Sequence, residues 1–333
     1  MGFAEKIMQW QRSHGRRGLP WQGTRDPYRI WLSEIMLQQT QVGAVVSYYE
    51  RFLARFPDPH ALAAAHQDEV LRLWSGLGYY ARARNLHAAA KVISAHGFPP
   101  DAASIERLPG VGRSTAAAIA AFAYGERGAI LDGNVKRVLA RHHGIEGEER
   151  QWSLAARLLP AAGIESYTQG LMDLGAMVCM RRPRCDACPV RRHCAAHRAG
   201  RTHEIPAPRP RAALPHRETT MLVLEHRGAV LLEKRAPVGI WGGLWCLPEI
   251  DRGADAANYC REKFGARVTA LESMPTVDHG FTHFSLTITP ARASVVRLEA
   301  RAGETTHAWL KLDEAKAAGI PSPVRRILEM IER

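Results

Sequence analysis

No apolar run in this 333-residue chain approaches the roughly 20 residues needed to cross a bilayer, so no membrane-spanning helix is expected. Met1 to Arg17 is polar and mixed in sign, from which neither a signal peptide nor an anchor is expected. Internal repeats and long low-complexity tracts are missing too, which excludes a solenoid. Cysteine is scarce and unevenly placed, unlike a secreted disulfide scaffold: of six, Cys179, Cys185, Cys188 and Cys194 crowd into 16 residues, and Cys246 and Cys260 stand apart. Such a cluster reads as a metal or iron–sulfur site before disulfides. Acidic residues are outnumbered, 33 Asp and Glu against 45 Lys and Arg, for a net charge of +12. That excess favours a polyanionic partner, because each neutralised phosphate releases condensed counterions. A basic but unspecialised cytosolic protein is the competing reading. Hydrophobic residues at 46% and charged residues at 23% are ordinary globular values and exclude a wholly disordered chain. At roughly 150 residues per domain, the length suggests two.

The pattern changes along the chain. Residues 1–198 read as helical, with apolar residues at three- and four-residue intervals over Ile30 to Phe52, Ala61 to Trp74, Ala81 to His96 and Ser114 to Tyr124. Breaks fall at Phe56-Pro57-Asp58-Pro59, at Gly97-Phe98-Pro99-Pro100-Asp101 and at Gly125. The segment 199–217 carries Pro206, Pro208, Pro210 and Pro215 among basic residues and is expected to be a semi-rigid interdomain linker. Beyond it, Thr219 to Leu224, Val230 to Lys234 and Phe284 to Thr289 look like strands, with a turn at Arg227-Gly228. Helices are expected at Ala254 to Phe264 and Ser322 to Glu332. The organisation is an all-helical domain over 1–198 followed by a smaller α+β domain over 218–333.

Two segments stand out chemically. Leu108-Pro109-Gly110-Val111-Gly112 sits between helical stretches and opens the second; its glycines allow a tight turn whose N–H groups face an anion. An ordinary helix–helix turn would look the same. Some 20 residues on, Ile130-Leu131-Asp132-Gly133-Asn134-Val135-Lys136-Arg137-Val138 places Asp132 before what looks like a new helix, where a lone Asp is usually an N-cap.

A glycine hairpin, an aspartate and a compact four-cysteine tail, in that order, resemble the helix–hairpin–helix DNA glycosylase superfamily. Within it, Trp31-Leu32-Ser33-Glu34-Ile35-Met36-Leu37-Gln38-Gln39-Thr40-Gln41-Val42 and Gly76-Leu77-Gly78-Tyr79-Tyr80-Ala81-Arg82-Ala83-Arg84-Asn85 are similar to MutY-type adenine DNA glycosylases, over essentially the whole chain. The resemblance implies that 1–24 and 131–198 form an iron–sulfur subdomain, 25–130 a helix–hairpin–helix subdomain, and 218–333 a Nudix-like 8-oxoguanine-recognition domain. It implies a monofunctional base excision repair enzyme acting on adenine opposite 8-oxoguanine or guanine in double-stranded DNA. A monomer is expected, cytoplasmic and associated with the bacterial nucleoid, without a membrane partner or a nucleotide cofactor.

Residue by residue, Glu34 matches the family's general acid and Asp132 its second carboxylate, with Asn134 orienting water or sugar. Adenine is a poor leaving anion, so the acid must hold a proton near neutral pH; Ile35, Met36 and Leu37 favour that by desolvation. Asp132 must stay ionised to stabilise the oxocarbenium-like sugar. A mid-helix Glu is otherwise usually a solvated surface charge. Where the related endonuclease III type has a lysine that forms a Schiff base, this chain has Ser114, which cannot form an imine, so base removal alone is expected. Gln38 and Tyr79 fall at the lesion, Gly110 and Gly112 at the DNA backbone, and Trp21, Gln22 and Gln169 at the adenine pocket, as base extrusion requires. Tyr79 has an alternative as a helix-terminal core aromatic.

By the same resemblance Cys179, Cys185, Cys188 and Cys194 hold one 4Fe–4S cluster, although zinc also accepts four thiolates. The last three cysteines are spaced as in the family, by two and by five residues; the first gap, Met180 to Arg184, is one residue short. Arg181, Arg182, Arg184, Arg191, Arg192 and Arg198 make this loop the best candidate for phosphate contact. Gly239 to Glu249 resembles the start of a Nudix segment, but Tyr259-Cys260-Arg261-Glu262-Lys263-Phe264-Gly265 has too few carboxylates for pyrophosphate hydrolysis. Phe281, Thr282 and His283 match the 8-oxoguanine-reading loop, against the alternative of a turn with structural histidines.

Overall fold

A computed structural model describes residues 1–207, 213–299 and 306–332. Pro208, Arg209, Pro210 and Arg211 of the expected linker lie outside the described residues. The chain packs as two compact units, Met1–Ala64 with Asn85–Pro210, and Ala65–Arg84 with Arg211–Arg333. Among the described residues no helix is long and apolar enough to cross a membrane.

The helical region runs α1 (Phe3–His14), α2 (Pro27–Leu37), α3 (Val42–Arg55), α4 (Pro59–Ala64), α5 (Gln67–Trp74), α6 (Ala81–His96), α7 (Ala102–Ile105), α8 (Arg113–Tyr124), α9 (Gly133–His143), α10 (Glu148–Arg157), α11 (Ile164–Asp173) and α12 (Ala195–Arg198). The start of α2 follows from its sequence. Asp26 caps it by accepting from the N–H groups of Tyr28 and Arg29, and Pro27 occupies the first turn, where a missing N–H costs nothing. The helix then buries Tyr28, Ile30, Trp31, Leu32, Ile35 and Met36, which leaves little of its surface to water.

Two expected helices are each broken in two. Ile30 to Phe52 is interrupted after Leu37, where Gln38 leaves helical geometry and Gln39 adopts φ 55°. The stretch 38–41 is entirely polar, so apolar periodicity on either side concealed the break. Ala61 to Trp74 is likewise split before Gln67, where the His66 imidazole accepts from the Asp68 N–H and caps α5. The other expected helices and strands occur with shifts of a few residues at their ends, except that the strand expected at Phe284 to Thr289 extends to Leu298.

In the first unit, α1, α8, α9 and α11 close around a core that includes Ile7, Trp10, Ala121, Leu131, Leu139 and Leu171. In the second, a mixed sheet is built on β1 (His216–His226), β2 (Ala229–Lys234), β3 (Trp245–Cys246), β4 (Glu249–Ile250), β5 (Ala266–Val268), β6 (Glu272–Ser273), β7 (Val277–Gly280), β8 (Ser285–Leu298) and β9 (His307–Lys311). Strands β1 and β8 pair in parallel at its centre, and the remaining pairings are antiparallel. Arg227 and Gly228, both at positive φ, form the tight turn between β1 and β2. Helix α13 (Ala256–Phe264) buries Ala256, Cys260 and Phe264 against this sheet, and α14 (Leu312–Ala317) and α15 (Ser322–Met330) complete the unit.

The segment 65–84 is bound into the second unit by side-chain bonds. Lys234 pairs with Asp68, Arg84 donates to the Gly242 carbonyl at 2.8 Å, and the Ser75 hydroxyl donates to the Ile320 carbonyl at 2.7 Å.

Candidate active site

In the first unit, Glu34, Gln38, Gly112, Ser114, Asp132, Asn134, Trp21 and Gln169 line one cavity of about 880 Å³. A second cavity of about 480 Å³ shares Glu34, Trp21 and Gln169 and adds Gln22. Glu34 therefore borders both, and its helix supplies the reason for its chemistry. Ile30, Trp31, Ile35 and Met36 around Glu34 on α2 are buried and apolar, and burial, reinforced by the Asp132 charge and opposed by Arg16, pushes its carboxyl up to about 7. A carboxyl in that state carries a proton that it can give up at neutral pH.

Asp132 caps α9, accepting from the Val135 N–H at 2.7 Å and from the Asn134 amide at 3.3 Å. One side chain thus both caps the helix and lines the cavity. The Ser114 hydroxyl accepts from the Leu131 N–H at 2.9 Å and so pins the strand-like segment leading into Asp132. Gln38 reaches Thr115 at 3.4 Å. Gly110, at φ 78°, abuts Asn85 and does not line the cavity.

Some participants were invisible to motif reading. Arg137 donates to the Asn134 carbonyl oxygen at 2.8 Å, to the Gly175 carbonyl at 2.8 Å and to the Cys179 carbonyl at 2.7 Å. It ties the Asp132–Asn134 corner to the first cysteine, and only a periodic position one turn along α9 hinted at it. The turn Leu174–Val178 is a π-helix, closed by a bond from the Cys179 N–H to the Leu174 carbonyl. Gly175 in that turn lies so close to α9 that a Cβ on it would stand 2.6 Å from the Asn134 Cβ.

The four cysteines, all half-buried, face a small cavity of about 30 Å³ with Arg141, Arg191 and His197. Burial pushes the Cys188 thiol up to about 11, and Cys185 and Cys194 are raised by burial and by their neighbouring thiols. The buried Arg141 guanidinium donates to the Met180 carbonyl at 2.6 Å and to the Ile205 carbonyl at 2.7 Å, and stands 3.4 Å from the Cys179 sulfur. Among the described residues no three His, Cys, Asp or Glu side chains form a group that would chelate a metal ion as folded. An all-sulfur donor set beside a fixed cation nonetheless has the chemistry that an anionic iron–sulfur cluster requires. Arg181, Arg182, Arg184, Arg192 and Arg198 are exposed, and Arg191 pairs with Asp186 at 2.6 Å.

The second unit holds the other predicted contacts. Tyr79, at φ 49° and 49% exposed, is no core aromatic; its hydroxyl stands 3.5 Å from the Thr282 hydroxyl. The Arg82 guanidinium lies 5.3 Å from the centre of its ring. The Phe281 N–H donates to the Phe284 carbonyl at 2.9 Å, closing a turn that exposes Thr282 and His283 at its tip. Phe281 stacks on Phe284, and Trp241, another residue in left-handed geometry, packs against it. The Nudix-like cavity, about 630 Å³, does not fit a divalent metal: Glu233 is paired with Lys263 and Glu249 with Arg235, and the one remaining carboxylate on its lining, Asp251, is too few.

Comparison with known proteins agrees with this geometry. Residues 32–159 match the HhH-GPD superfamily of base excision DNA repair proteins and residues 219–330 match the NUDIX domain. A thermostable thymine-DNA glycosylase structure covers 59% of this chain and 95% of its own, with 30% identity and a TM-score of 0.55. Fold and site together define a helix–hairpin–helix DNA repair glycosylase carrying a Nudix-like domain. An adenine DNA glycosylase of Buchnera aphidicola subsp. Baizongia pistaciae is 34% identical over 99% of this chain and 97% of its own. That of Homo sapiens is 30% identical over 99% of this chain and 74% of its own. The chain belongs to the adenine DNA glycosylase family, whose members are base excision repair enzymes acting on adenine.

Two outcomes follow from this geometry. A carboxyl raised in the folded state stabilises the fold below the unfolded value near 4.5, and that stability is lost as pH rises through about 7. The loss amounts to about 3 kcal/mol, so Glu34→Gln should flatten this part of the stability profile when denaturation is followed across it. Gly175→Ala should displace Asn134 and slow excision about tenfold or more in single turnovers. An unchanged rate would show that the π-turn's approach to α9 does not matter.

Proposed function

We propose that this glycosylase hydrolyses the N-glycosidic bond of adenine paired with 8-oxoguanine or guanine, with Glu34 as the acid and Asp132 as the stabilising carboxylate. The observation that carries the reading is that Glu34, whose carboxyl burial and the Asp132 charge push up, lines one cavity with the helix-capping Asp132. Glu34 protonates the extruded base, so that it departs as neutral adenine. Asp132 stabilises the positive charge on the sugar, and Asn134, held by Arg137, orients the attacking water. Asp132 is steadied meanwhile by its bonds to the Val135 N–H and the Asn134 amide. Trp21, Gln22 and Gln169 receive the base, Gln38 fills towards the vacated stack, and Gly110 and Gly112 approach the phosphates. Ser114 supports base removal without strand cleavage, since a hydroxyl engaged with the Leu131 N–H offers no amine for an imine.

Tyr79 and the Phe281–Thr282–His283 turn read the base opposite adenine. Their support is the 3.5 Å approach of Tyr79 to Thr282, which puts a left-handed exposed aromatic beside an exposed loop tip. Cys179, Cys185, Cys188 and Cys194 would hold a 4Fe–4S cluster, which when bound ties the arginine-rich loop together. The raised thiols of Cys185, Cys188 and Cys194 must release protons on loading, so retention of the cluster weakens as pH falls.

The deciding assay is single-turnover adenine release from duplexes with 8-oxoguanine, guanine or thymine opposite adenine. Glu34→Gln should bind the 8-oxoguanine duplex at near wild-type affinity and lose excision by a factor of about a hundred or more; near-normal turnover removes it from the acid role. Borohydride trapping with substantial strand cleavage would instead favour a glycosylase/lyase. Phe281→Ala should reduce preference for 8-oxoguanine over guanine more than it reduces excision opposite guanine, and equal losses would count against the reading turn. Purified protein should contain about four irons per chain, an outcome that zinc in their place would overturn.

A further inference from the structure

Asp173 belongs to no motif, yet its side chain is fully buried, with 0% exposure, and bonded to Arg16 and Gln169, which line both cavities. Its Oδ1 accepts from the Arg16 Nε–H at 2.6 Å and from the Gln169 amide at 2.9 Å, and its Oδ2 accepts from the Arg16 backbone N–H at 3.0 Å. Gln169 lies four residues earlier on α11, so the two side chains share a face. The approach of the Arg16 backbone requires Gly15, because a Cβ there would meet Asp173 Oδ2 at 3.0 Å and the Gln11 carbonyl at 2.6 Å. Arg16 in turn accepts from the Gln22 amide at 3.0 Å through its carbonyl. One buried carboxylate thus fixes Arg16 and Gln169 directly and Gln22 at one remove.

A buried ion pair is weak evidence for stability, since desolvation offsets most of the attraction. Position gives this pair a different meaning. Arg16 lines both cavities that Glu34 borders. The other charged groups that line them are Arg17, Arg25 and Glu165 on one side and Asp132 and Arg137 on the other. Arg25 is paired with Glu165, and Arg137 is spent on Asn134 and on backbone carbonyls.

We propose that Asp173 is a positioning residue that holds Arg16 and Gln169 on the cavity wall and, by compensating the Arg16 guanidinium, limits the positive field that reaches Glu34. The inference rests on the reading of Glu34 as the proton donor. Arg16 alone makes Glu34 give up its proton earlier, and the Asp173 carboxylate opposes that effect without touching Glu34.

The test is the alkaline limb of single-turnover adenine excision from an 8-oxoguanine:adenine duplex, where activity falls as Glu34 ionises. Asp173→Asn leaves Arg16 uncompensated and should move the midpoint down by about half to one pH unit. Arg16→Gln removes the positive field and should move it up by a similar amount, whereas Arg16→Lys should stay near wild type. Opposite displacements are not produced by loosened packing. Shifts in the same direction, or lowered rates with unmoved midpoints, would overturn the proposal. If Asp173→Asn alone fails to fold by circular dichroism, the Arg16→Gln/Asp173→Asn double variant replaces it: its midpoint should lie below that of Arg16→Gln, and equal midpoints would overturn the proposal. Glu34→Gln run alongside separates the two levels. If it keeps the wild-type limb, the acid assignment fails and this proposal with it. If it abolishes excision while the Arg16 and Asp173 variants leave the midpoint in place, only the Asp173–Arg16 proposal fails.

Discussion

A carboxyl lifted towards neutral pH by burial is the feature on which the cavities of the first unit converge. Water would lower it, so Glu34 is carried on a helix that buries Ile30, Trp31, Ile35 and Met36 around it. A second carboxylate close by raises it further, and a guanidinium restrains it. The same residues that desolvate the acid must leave a cavity at its tip, and the abrupt end of α2 at Leu37 opens one. Gln39 in left-handed geometry is the local strain that accompanies this ending.

Helix α9 joins the chemistry to the cysteine segment. Its N-terminus carries Asp132, its second turn carries Arg137, and its third carries Arg141. Arg137 bonds both Asn134 and the carbonyl of Cys179, and Arg141 gathers carbonyls on either side of the cysteine cavity. Anything that orders the cysteine loop therefore bears on the orientation of the Asp132–Asn134 corner through Arg137. Packing makes this coupling stiff: Gly175 leaves no room for a side chain between the π-turn and Asn134.

The second unit illustrates how a binding fold loses one chemistry. Its carboxylates at the Nudix-like cavity are not missing altogether; Glu233 and Glu249 are neutralised by Lys263 and Arg235 from the same chain, and Asp251 remains on the lining. A cation supplied by a side chain can stiffen the cavity but cannot activate water for attack on a pyrophosphate. What the unit gains is the segment 65–84, which brings Tyr79 to the turn at Thr282.

Much was legible from the chain alone. Periodicity and punctuation located most helices and strands, and long motifs pointed to Glu34, Asp132, Ser114 and the four cysteines, because each needs a particular residue type at a particular place. Apolar spacing failed where a polar insertion kept the phase on both sides, which hid the breaks before α3 and α5. It also failed for Arg16, Arg137 and Asp173, whose roles depend on partners far away in sequence. Arg16 and Asp173 are 157 residues apart and meet only when α1 and α11 pack together. Residue identity set which groups were able to ionise and which to donate. Only folding decided which of them lost water and which faced one another, since desolvation and charge proximity belong to the packed molecule rather than to the order of its letters.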